Sequence, residues 1–382
     1  MYKIINKKKR MATIIFDALG KFLFAIPRFF KSSQKISPEK IDSILIIRTA
    51  YIGDVVMTLP MLKVLKNKYP GVRISFLTSK SAQPLLKNNP YVDETIIYDP
   101  FWFYETGITA WFGFIKKLRQ QSFDLVIEAR ADIRDLALIL FFCKARYKVS
   151  YAIGGGGYFL SHVVPYPGIS HKVDFHLHLA EYLGCALGDI DSGFYLSETE
   201  KKRGKDILLE AGMEGEFIAV HPGSRLFLKR WPLDRCASLY DQLIETYGMP
   251  IVLLGSSSET LLIEAIQAAM VHRAVSLAGR IDLRELGAVI SRASIFICND
   301  SAPMHISAAV GTPTVAIFGP SKSVETSPYN TICQVVEKVM QCRDSCDESH
   351  CLFDRYHACM DDITQNDVLA GVKRIFQISR DN

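Results

Sequence analysis

The sequence predicts an α/β protein of two Rossmann-like domains with parallel sheets facing a cleft, plus an N-terminal basic amphipathic helix. Three observations point there. Short apolar runs of the buried parallel-strand type alternate with stretches of helical periodicity. The alternation lapses before residue 195 and then begins again. The chain's 382 residues also exceed what one ordinary core organises. With 49% hydrophobic and 22% charged residues, the composition is that of a globular protein, not a disordered one. Ligands of open α/β sheets sit beyond the carboxyl ends of the strands, so the residues just after each strand carry the functional information.

The first element is a basic arm, residues 1–40. It holds ten Lys and Arg against Asp17 and Glu39, a net +8, so the chain's overall +5 leaves −3 for the rest. A body without basic excess offers no groove for nucleic acid. Met11–Phe30 is apolar but contains Asp17, Lys21, Pro27 and Arg28. At about 100° per residue, Arg10, Asp17, Lys21 and Arg28 fall within roughly 40° of one another. One narrow charged stripe beside a broad apolar face suits a helix lying in a membrane surface. A signal anchor and a helix packed on the protein's own core are the alternatives, and no small-residue cleavage site follows. The flanking cations favour anionic lipid, which puts the protein peripherally on the inner face of the cytoplasmic membrane.

The body opens with a strand, Ser43–Arg48, and a turn, Thr49–Gly53, before a helix over Asp54–Lys68 that Pro70-Gly71 stops. Strands follow at Arg73–Thr78, Glu94–Tyr98 and Phe123–Glu128. Pro165–Ser192 starts rich in His, Gly and Pro and ends in polar turns, which reads as a linker. The second round has strands at Phe217–Val220, Ile251–Leu254, Val275–Leu277, Ile295–Cys298 and Thr314–Phe318. Its helices are Leu233–Tyr247, Ser258–Met270, Leu283–Ser291 and Pro303–Val310.

Four strand ends carry chemistry. In Arg48-Thr-Ala-Tyr-Ile-Gly-Asp54, Gly53 permits a tight turn, and Asp54 is either an N-cap or a general base. Val220-His-Pro-Gly-Ser-Arg225, with Lys229-Arg-Trp-Pro232 after it, presents backbone amides, the Ser224 hydroxyl, Arg225 and Lys229. It is either a diphosphate cradle or an ordinary strand-end turn with solvated basic residues. In Leu254-Gly-Ser-Ser-Ser-Glu259, Glu259 either accepts from a ribose diol or opens a helix, where its charge suits the dipole. The strongest string is Cys298-Asn-Asp-Ser-Ala-Pro-Met-His305, followed by Gly-Thr-Pro at 311–313. A strand ends at Asn299-Asp300 and a helix starts with Pro303 in its first turn. Free N–H groups around Ser301 and Ala302 face a phosphate there, and His305 lies one turn in, where a histidine is otherwise packed or capping.

Other strings are decoys. Asp189-Ile-Asp191 lies in the linker, Gly154–Gly157 is not a dinucleotide fingerprint, and Gly319-Pro-Ser-Lys322 lacks P-loop spacing. Of nine cysteines, Cys143, Cys185, Cys236, Cys298 and Cys333 are isolated, which favours a reducing compartment. The others form Cys342-x3-Cys346-x4-Cys351-x7-Cys359, with His350 and His357 interleaved. This group is open between structural zinc, disulfides and reduced thiols.

At these strings the sequence resembles glycosyltransferase family 9, the heptosyltransferases of lipopolysaccharide inner-core synthesis. The likeness spans residues 43–370, on Ile-Gly-Asp-Val-Val-Met-Thr-Leu-Pro at 52–60, His-Pro-Gly-Ser at 221–224, Lys229–Pro232, Gly255–Glu259 and Asp300–His305. It implies a GT-B fold and inverting, metal-independent transfer without a cofactor. The sugar, heptose in the first instance, would pass from a nucleotide-diphosphate donor to a lipopolysaccharide core or related lipid-linked glycan. Carried across, Asp54 is the base and Lys229 the diphosphate contact. Ser224 and Arg225 take the phosphate-loop positions, and Glu259 sits at the nucleoside. Asp300, Ser301 and His305 match the phosphate-binding helix start, with Ala302 where a glycine is usual. The expected domains are the arm 1–40, an acceptor domain 41–195, a nucleotide-sugar domain 196–365 and a C-terminal helix 366–382. The aromatic stretches Phe101–Tyr104 and Trp111–Phe114 lie outside the family's core pattern and suit a lipid-linked acceptor. Transfer of another hexose, or a non-catalytic nucleotide-sugar scaffold at the membrane, are the alternatives; a scaffold needs no base.

Overall fold

The computed structural model describes residues 7–23, 36–329, 331–346 and 348–381. The chain divides into two compact units, Met1–Gly193 and Phe194–Asn382.

The first unit begins with α1 (Lys7–Leu23) and continues β1 (Ser43–Ile47), α2 (Ile52–Val56), α3 (Pro60–Lys68), β2 (Arg73–Thr78), β3 (Glu94–Ile97) and α4 (Ile108–Leu118). It ends with β4 (Ser122–Glu128), α5 (Ile133–Leu138), β5 (Lys144–Ser150), β6 (His162–Val163) and α6 (Lys172–Tyr182). The six strands form one sheet in the order β3-β2-β1-β4-β5-β6, every pair parallel. Ile44 to Ile47 and Leu125 to Ile127 are fully covered, because helices on both faces of a parallel sheet leave its central strands no solvent side. β5 escaped the sequence reading because Lys144, Arg146 and Lys148 interrupt its apolar residues. The one helix expected over Asp54–Lys68 is two: Pro60, at the start of α3, has no N–H to continue α2. The stretch read as linker contains α6, whose buried Val173, Phe175 and His176 belong to the core. The buried His176 ring faces the Met57 carbonyl through Nδ1 at 3.0 Å. Burial, then the nearby Arg48 charge, pushes its pKa down to about 3.

α1 corrects the reading of the arm. Asp17 does not belong to an outward charged stripe: it is 2% exposed. Its carboxylate accepts from the Gly156 N–H at 2.7 Å and pairs with Lys21 at 2.8 Å. Gly20 meets Tyr158 so closely that a Cβ there would lie 2.1 Å from the ring. The helix therefore seats its polar side on the Gly154–Gly157 turn of its own unit, where Gly155 and Gly156 have left-handed backbone, φ 88° and 76°. The opposite side of α1 presents Met11, Ile15, Leu19 and Phe22 outward, all exposed. The side chain of Arg10 and all of residues 24–35, including Arg28, lie outside the described residues. Among the described residues no helix is long and apolar enough to cross a membrane.

The second unit runs α7 (Glu198–Glu210), β7 (Ile218–His221), α8 (Leu233–Tyr247), β8 (Ile251–Leu253), α9 (Thr260–Ala269), β9 (Val275–Ser276) and α10 (Leu283–Ile290). It continues β10 (Ile295–Asn299), α11 (Ala302–Ala309), β11 (Thr314–Phe318), α12 (Ser323–Thr326), β12 (Cys333–Glu337), α13 (Ala358–Asp361) and α14 (Gln365–Asp381). Its sheet has the order β12-β11-β10-β7-β8-β9, parallel throughout. Read from β9, that is the strand order of the first unit repeated. Each unit is thus a Rossmann-like domain whose strand order reverses beside its first strand, between β1 and β4 in one and between β7 and β10 in the other. Such switch points leave a crevice at the carboxyl ends of the strands.

Candidate functional site

In the second unit the switch point brings together residues far apart in the chain, through the register Cys298↔His221. β7 ends at the buried His221, and Pro222-Gly-Ser-Arg225 turns away from it. Ser224 Oγ donates to the Asp300 carbonyl at 3.1 Å, and Arg230 Nε donates to the Ser224 carbonyl at 2.8 Å. Asn299, the last residue of β10, ties the same turn down: its Nδ2 donates to the Pro222 carbonyl at 2.6 Å, and its Oδ1 accepts from the Trp231 N–H at 3.3 Å.

Lys229 extends its ammonium into this corner, 2.8 Å from Asp300 Oδ2 and 2.7 Å from Glu348 Oε2. Burial works against the ammonium, but the Asp300 and Glu348 carboxylates outweigh it and hold its pKa above the ordinary lysine value. The cation is permanent at neutral pH. α11 begins beside it with Ser301 as N-cap and Pro303 in the first turn. Ser301 Oγ lies 3.2 Å from His221 Nδ1 and makes no capping bond. Pro303 has no N–H and the Met304 N–H donates to the Ser301 carbonyl at 3.1 Å, so in the first turn it is the Ala302 N–H that can face an external acceptor. His305 is buried in α11, as a packed histidine would be.

Glu259 has a structural task. It completes a capping box with Ser256, accepting from the Ser256 N–H at 2.9 Å and from its hydroxyl at 2.7 Å, and lies 3.4 Å from His221 Nε2. Burial opposes its ionisation, yet the His221 and Ser256 donors prevail and hold its pKa down to about 2. Gly223 is what lets this carboxylate approach: a Cβ there would stand 1.9 Å from Glu259 Oε1. Arg225 is exposed at the rim of the turn.

In the first unit Asp54 lies beyond the end of β1. The N-cap alternative does not hold, because the N-cap of α2 is Tyr51 and Asp54 stands in its first turn. Nor does Gly53 make the sharp turn. The left-handed backbone falls on Tyr51, φ 60°, while Gly53 is helical and buried. Asp54 is about a quarter exposed and pairs through Oδ1 with Arg48 Nη2 at 2.7 Å. Arg48 is buried, and its Nε and Nη1 have no hydrogen-bond partner among the described residues. Next to this turn Phe103 lies under two guanidinium groups, Arg130 at 3.9 Å and Arg134 at 4.4 Å from the ring centroid, with the Tyr51 ring 6.1 Å away. One aromatic of the stretch singled out in the sequence thus lies against Tyr51, the N-cap of the helix that carries Asp54. Behind the turn, Thr49 Oγ1 donates to both oxygens of the buried Asp135, at 3.1 and 2.9 Å. Burial, then Asp135, pushes the carboxyl of Glu128 well above the carboxylate range.

The structure therefore gathers Ser224, Lys229, Asp300, Ser301 and Ala302 in the second unit, with Glu259 linked to them through His221. The sequence reading missed His221, Asn299 and Glu348 as parts of this corner, Arg48 as the partner of Asp54, and Arg130 and Arg134 over Phe103. His221, Asn299 and Arg48 stand inside the quoted strings, at strand ends, where a role was legible. Glu348 had no such signal, since it lies in the cysteine segment.

The family model for glycosyltransferase family 9 (heptosyltransferase) matches residues 111–357. The chain is 29% identical to lipopolysaccharide heptosyltransferase 3 of Escherichia coli over 287 residues, 73% of this chain and 83% of that protein. A family 9 glycosyl transferase from Veillonella parvula superposes with a TM-score of 0.77 at 20% identity, covering 90% of this chain and 99% of that one. The ADP-heptose LPS heptosyltransferase II of Escherichia coli does so with a TM-score of 0.70 at 23% identity, covering 88% and 99%. At those identities the two structures speak for the fold alone.

Proposed function

The chain belongs to glycosyltransferase family 9, and from that premise we propose an inverting, metal-independent transferase that moves heptose from an ADP-linked donor to a lipopolysaccharide core or related lipid-linked glycan. The observation that carries the reading is the permanently charged Lys229, fixed by Asp300 beside the first turn of α11. A diphosphate leaving group needs such a cation and such N–H groups where its charge grows. Heptose and ADP come from the names of the relatives.

Asp54 takes the proton of the acceptor hydroxyl as that oxygen attacks the anomeric carbon from the face opposite the donor's diphosphate. The bond between the anomeric carbon and the diphosphate oxygen breaks, and the electron pair leaves with that oxygen. Lys229 and the N–H groups at Ser301 and Ala302 stabilise the new charge, the task a divalent cation performs elsewhere. Arg48 orients the Asp54 carboxylate. Arg130 and Arg134, both over the Phe103 ring, suit an acceptor that is both a sugar and an anion. In the donor site Ser224 and Arg225 flank the phosphates, Glu259 faces the nucleoside, and His305 supports α11.

The test is acceptor-dependent transfer from a panel of nucleotide sugars, with ADP-heptose the best donor. Another hexose donor turning over faster would replace heptose, and donor binding without turnover on any acceptor would favour the scaffold. Transfer should persist in excess EDTA; a loss that magnesium restores would overturn metal independence.

The arm is the membrane-associating element of this reading. Its support is the exposed row Met11, Ile15, Leu19 and Phe22 on a segment of net +8, a pattern that binds the interface of anionic bilayers. Full-length protein should sediment with anionic vesicles more than with neutral ones. Ile15→Glu with Phe22→Glu should abolish that while leaving the melting temperature unchanged, since both side chains face outward. Deletion of residues 1–40 should leave donor binding intact. A truncated protein that still sediments with the vesicles would show that the anchor lies elsewhere.

A further inference from the structure

Phe103 stands with Tyr51 and the two arginines, but the second aromatic stretch of the sequence, around Trp111, belongs to another cluster of the first unit. Trp111 meets Phe112 at 4.8 Å between ring centroids and Phe142 at 5.5 Å. Phe142 meets Phe141 at 5.1 Å, Phe141 meets Phe159 at 5.3 Å, and Phe159 meets Tyr158 at 4.5 Å. Tyr158 is the ring on which Gly20 of α1 lies. Six rings thus make one continuous ridge from α4 to the arm. Ordinary core packing would cover it, yet Phe112 is 60% exposed and Phe141 44%. Contiguous exposed apolar surface of this kind marks an interaction site.

The surrounding charge selects the partner. Residues 106–123 and 136–171, which supply all six rings, hold six Lys and Arg and no Asp or Glu. The chain outside the arm sums to −3, so this concentration of cations is local. Lys116, Lys117, Lys144 and Arg146 are exposed. Lys116 lies one helical turn beyond Phe112, and Lys148 donates to the Phe141 carbonyl at 3.2 Å. Aromatic rings mixed with cations and free of carboxylates suit the headgroup region of an anionic bilayer.

We infer that this ridge is a second membrane contact, on the body of the first unit, which binds the interface of an anionic bilayer beside the arm. Its role rests on the reading of the arm as the anchor. One helix lying in a membrane surface leaves the attached unit free to roll about the helix axis, and a second contact stops the roll. The ridge also stands close to the Phe103 turn. Arg134, in the first turn of α5, lies over Phe103, and the Leu138 carbonyl at the end of α5 accepts from the Trp111 indole N–H at 2.8 Å. A helix of six residues, about 9 Å, separates the two, so an acceptor anchored in the same bilayer is held near the turn that bears Asp54.

The test uses full-length protein and anionic vesicles whose acyl chains carry bromine near the headgroups, where it quenches interfacial tryptophan. The arm has no tryptophan, and Trp231 is buried in the second unit. Binding should quench the emission, and Trp111→Phe should remove most of that quenching at an equal sedimented fraction. Phe112→Ser, at an exposed position, should weaken vesicle affinity roughly tenfold, the worth of one phenylalanine taken from water. Lys116→Glu with Lys117→Glu should weaken it about tenfold or more on anionic vesicles and little on neutral ones. If Trp111→Phe does not fold, these two surface variants decide. Protein that sediments with its emission unchanged, quenching that persists in Trp111→Phe, or wild-type affinity in both surface variants overturns the inference and leaves the arm as the anchor. Sedimentation and quenching that survive Ile15→Glu with Phe22→Glu would instead overturn the arm reading and make the ridge the anchor. Full-length protein that does not sediment with anionic vesicles at all overturns both.

Discussion

Asp54→Asn lowers turnover roughly 10²–10⁴-fold, the usual worth of a general base, and leaves donor affinity near wild type, because the proposed donor contacts are all in the other unit. The loss cannot be assigned to a damaged helix start, since Tyr51 and not Asp54 is the N-cap of α2. The substitution does touch Arg48. That guanidinium is buried with two nitrogens already unpartnered among the described residues, and an amide replaces the charge on its remaining contact. A stability loss of about 1–3 kcal/mol is the expected cost of weakening a buried charged bond. Turnover, nucleotide affinity and the melting curve are therefore measured on the same sample. Near-normal turnover would remove Asp54 as the base, and a fall in donor affinity as large as the fall in rate would mean that the variant is misfolded.

Lys229→Ala has the second large effect, and on both quantities. Turnover should fall roughly 10²–10³-fold, the scale seen when one stabilising donor is taken from a developing oxyanion. Diphosphate affinity should fall with it, because the ammonium is present before and during the bond-breaking step. Removing the cation also leaves Asp300, 8% exposed, as a buried charge without its ion pair, which costs about 3–5 kcal/mol. Comparing ADP with adenosine separates the two consequences. A direct phosphate contact penalises ADP and spares adenosine; equal losses for both would show that Lys229 acts only by holding the fold.

How much was legible follows from the range of each signal. β2, α8 and β11 match the expected limits residue for residue, because an apolar run between turn residues, or an apolar stripe with a Gly C-cap, is complete within its own segment. β5 and α6 were lost for the opposite reason. Lys144, Arg146 and Lys148 in one, and His171, His176 and His178 in the other, make the segment polar on paper although its buried face is complete. In α1 the buried Asp17 departs from the outward charged stripe that the sequence suggested. Periodicity shows that Asp17 and Lys21 share a face, but not that the Gly156 N–H needs an acceptor on that face.

By itself, the sequence determined that two Rossmann-like domains follow one another and that Asp54, Lys229 and the Asp300–His305 segment stand at strand ends. Those are local consequences of hydrophobic period, turn chemistry and helix starts. The tertiary structure alone decided which of these strand ends are neighbours. Parallel strands joined by crossovers place β7 against β10 and β1 against β4, across long stretches of intervening chain. Only that pairing sets Lys229 on Asp300, Glu259 on His221 and the four cysteines around one cavity. A charge or a thiol acts over a few ångströms, so its partner is chosen by strand order and packing, and no window along the chain contains both.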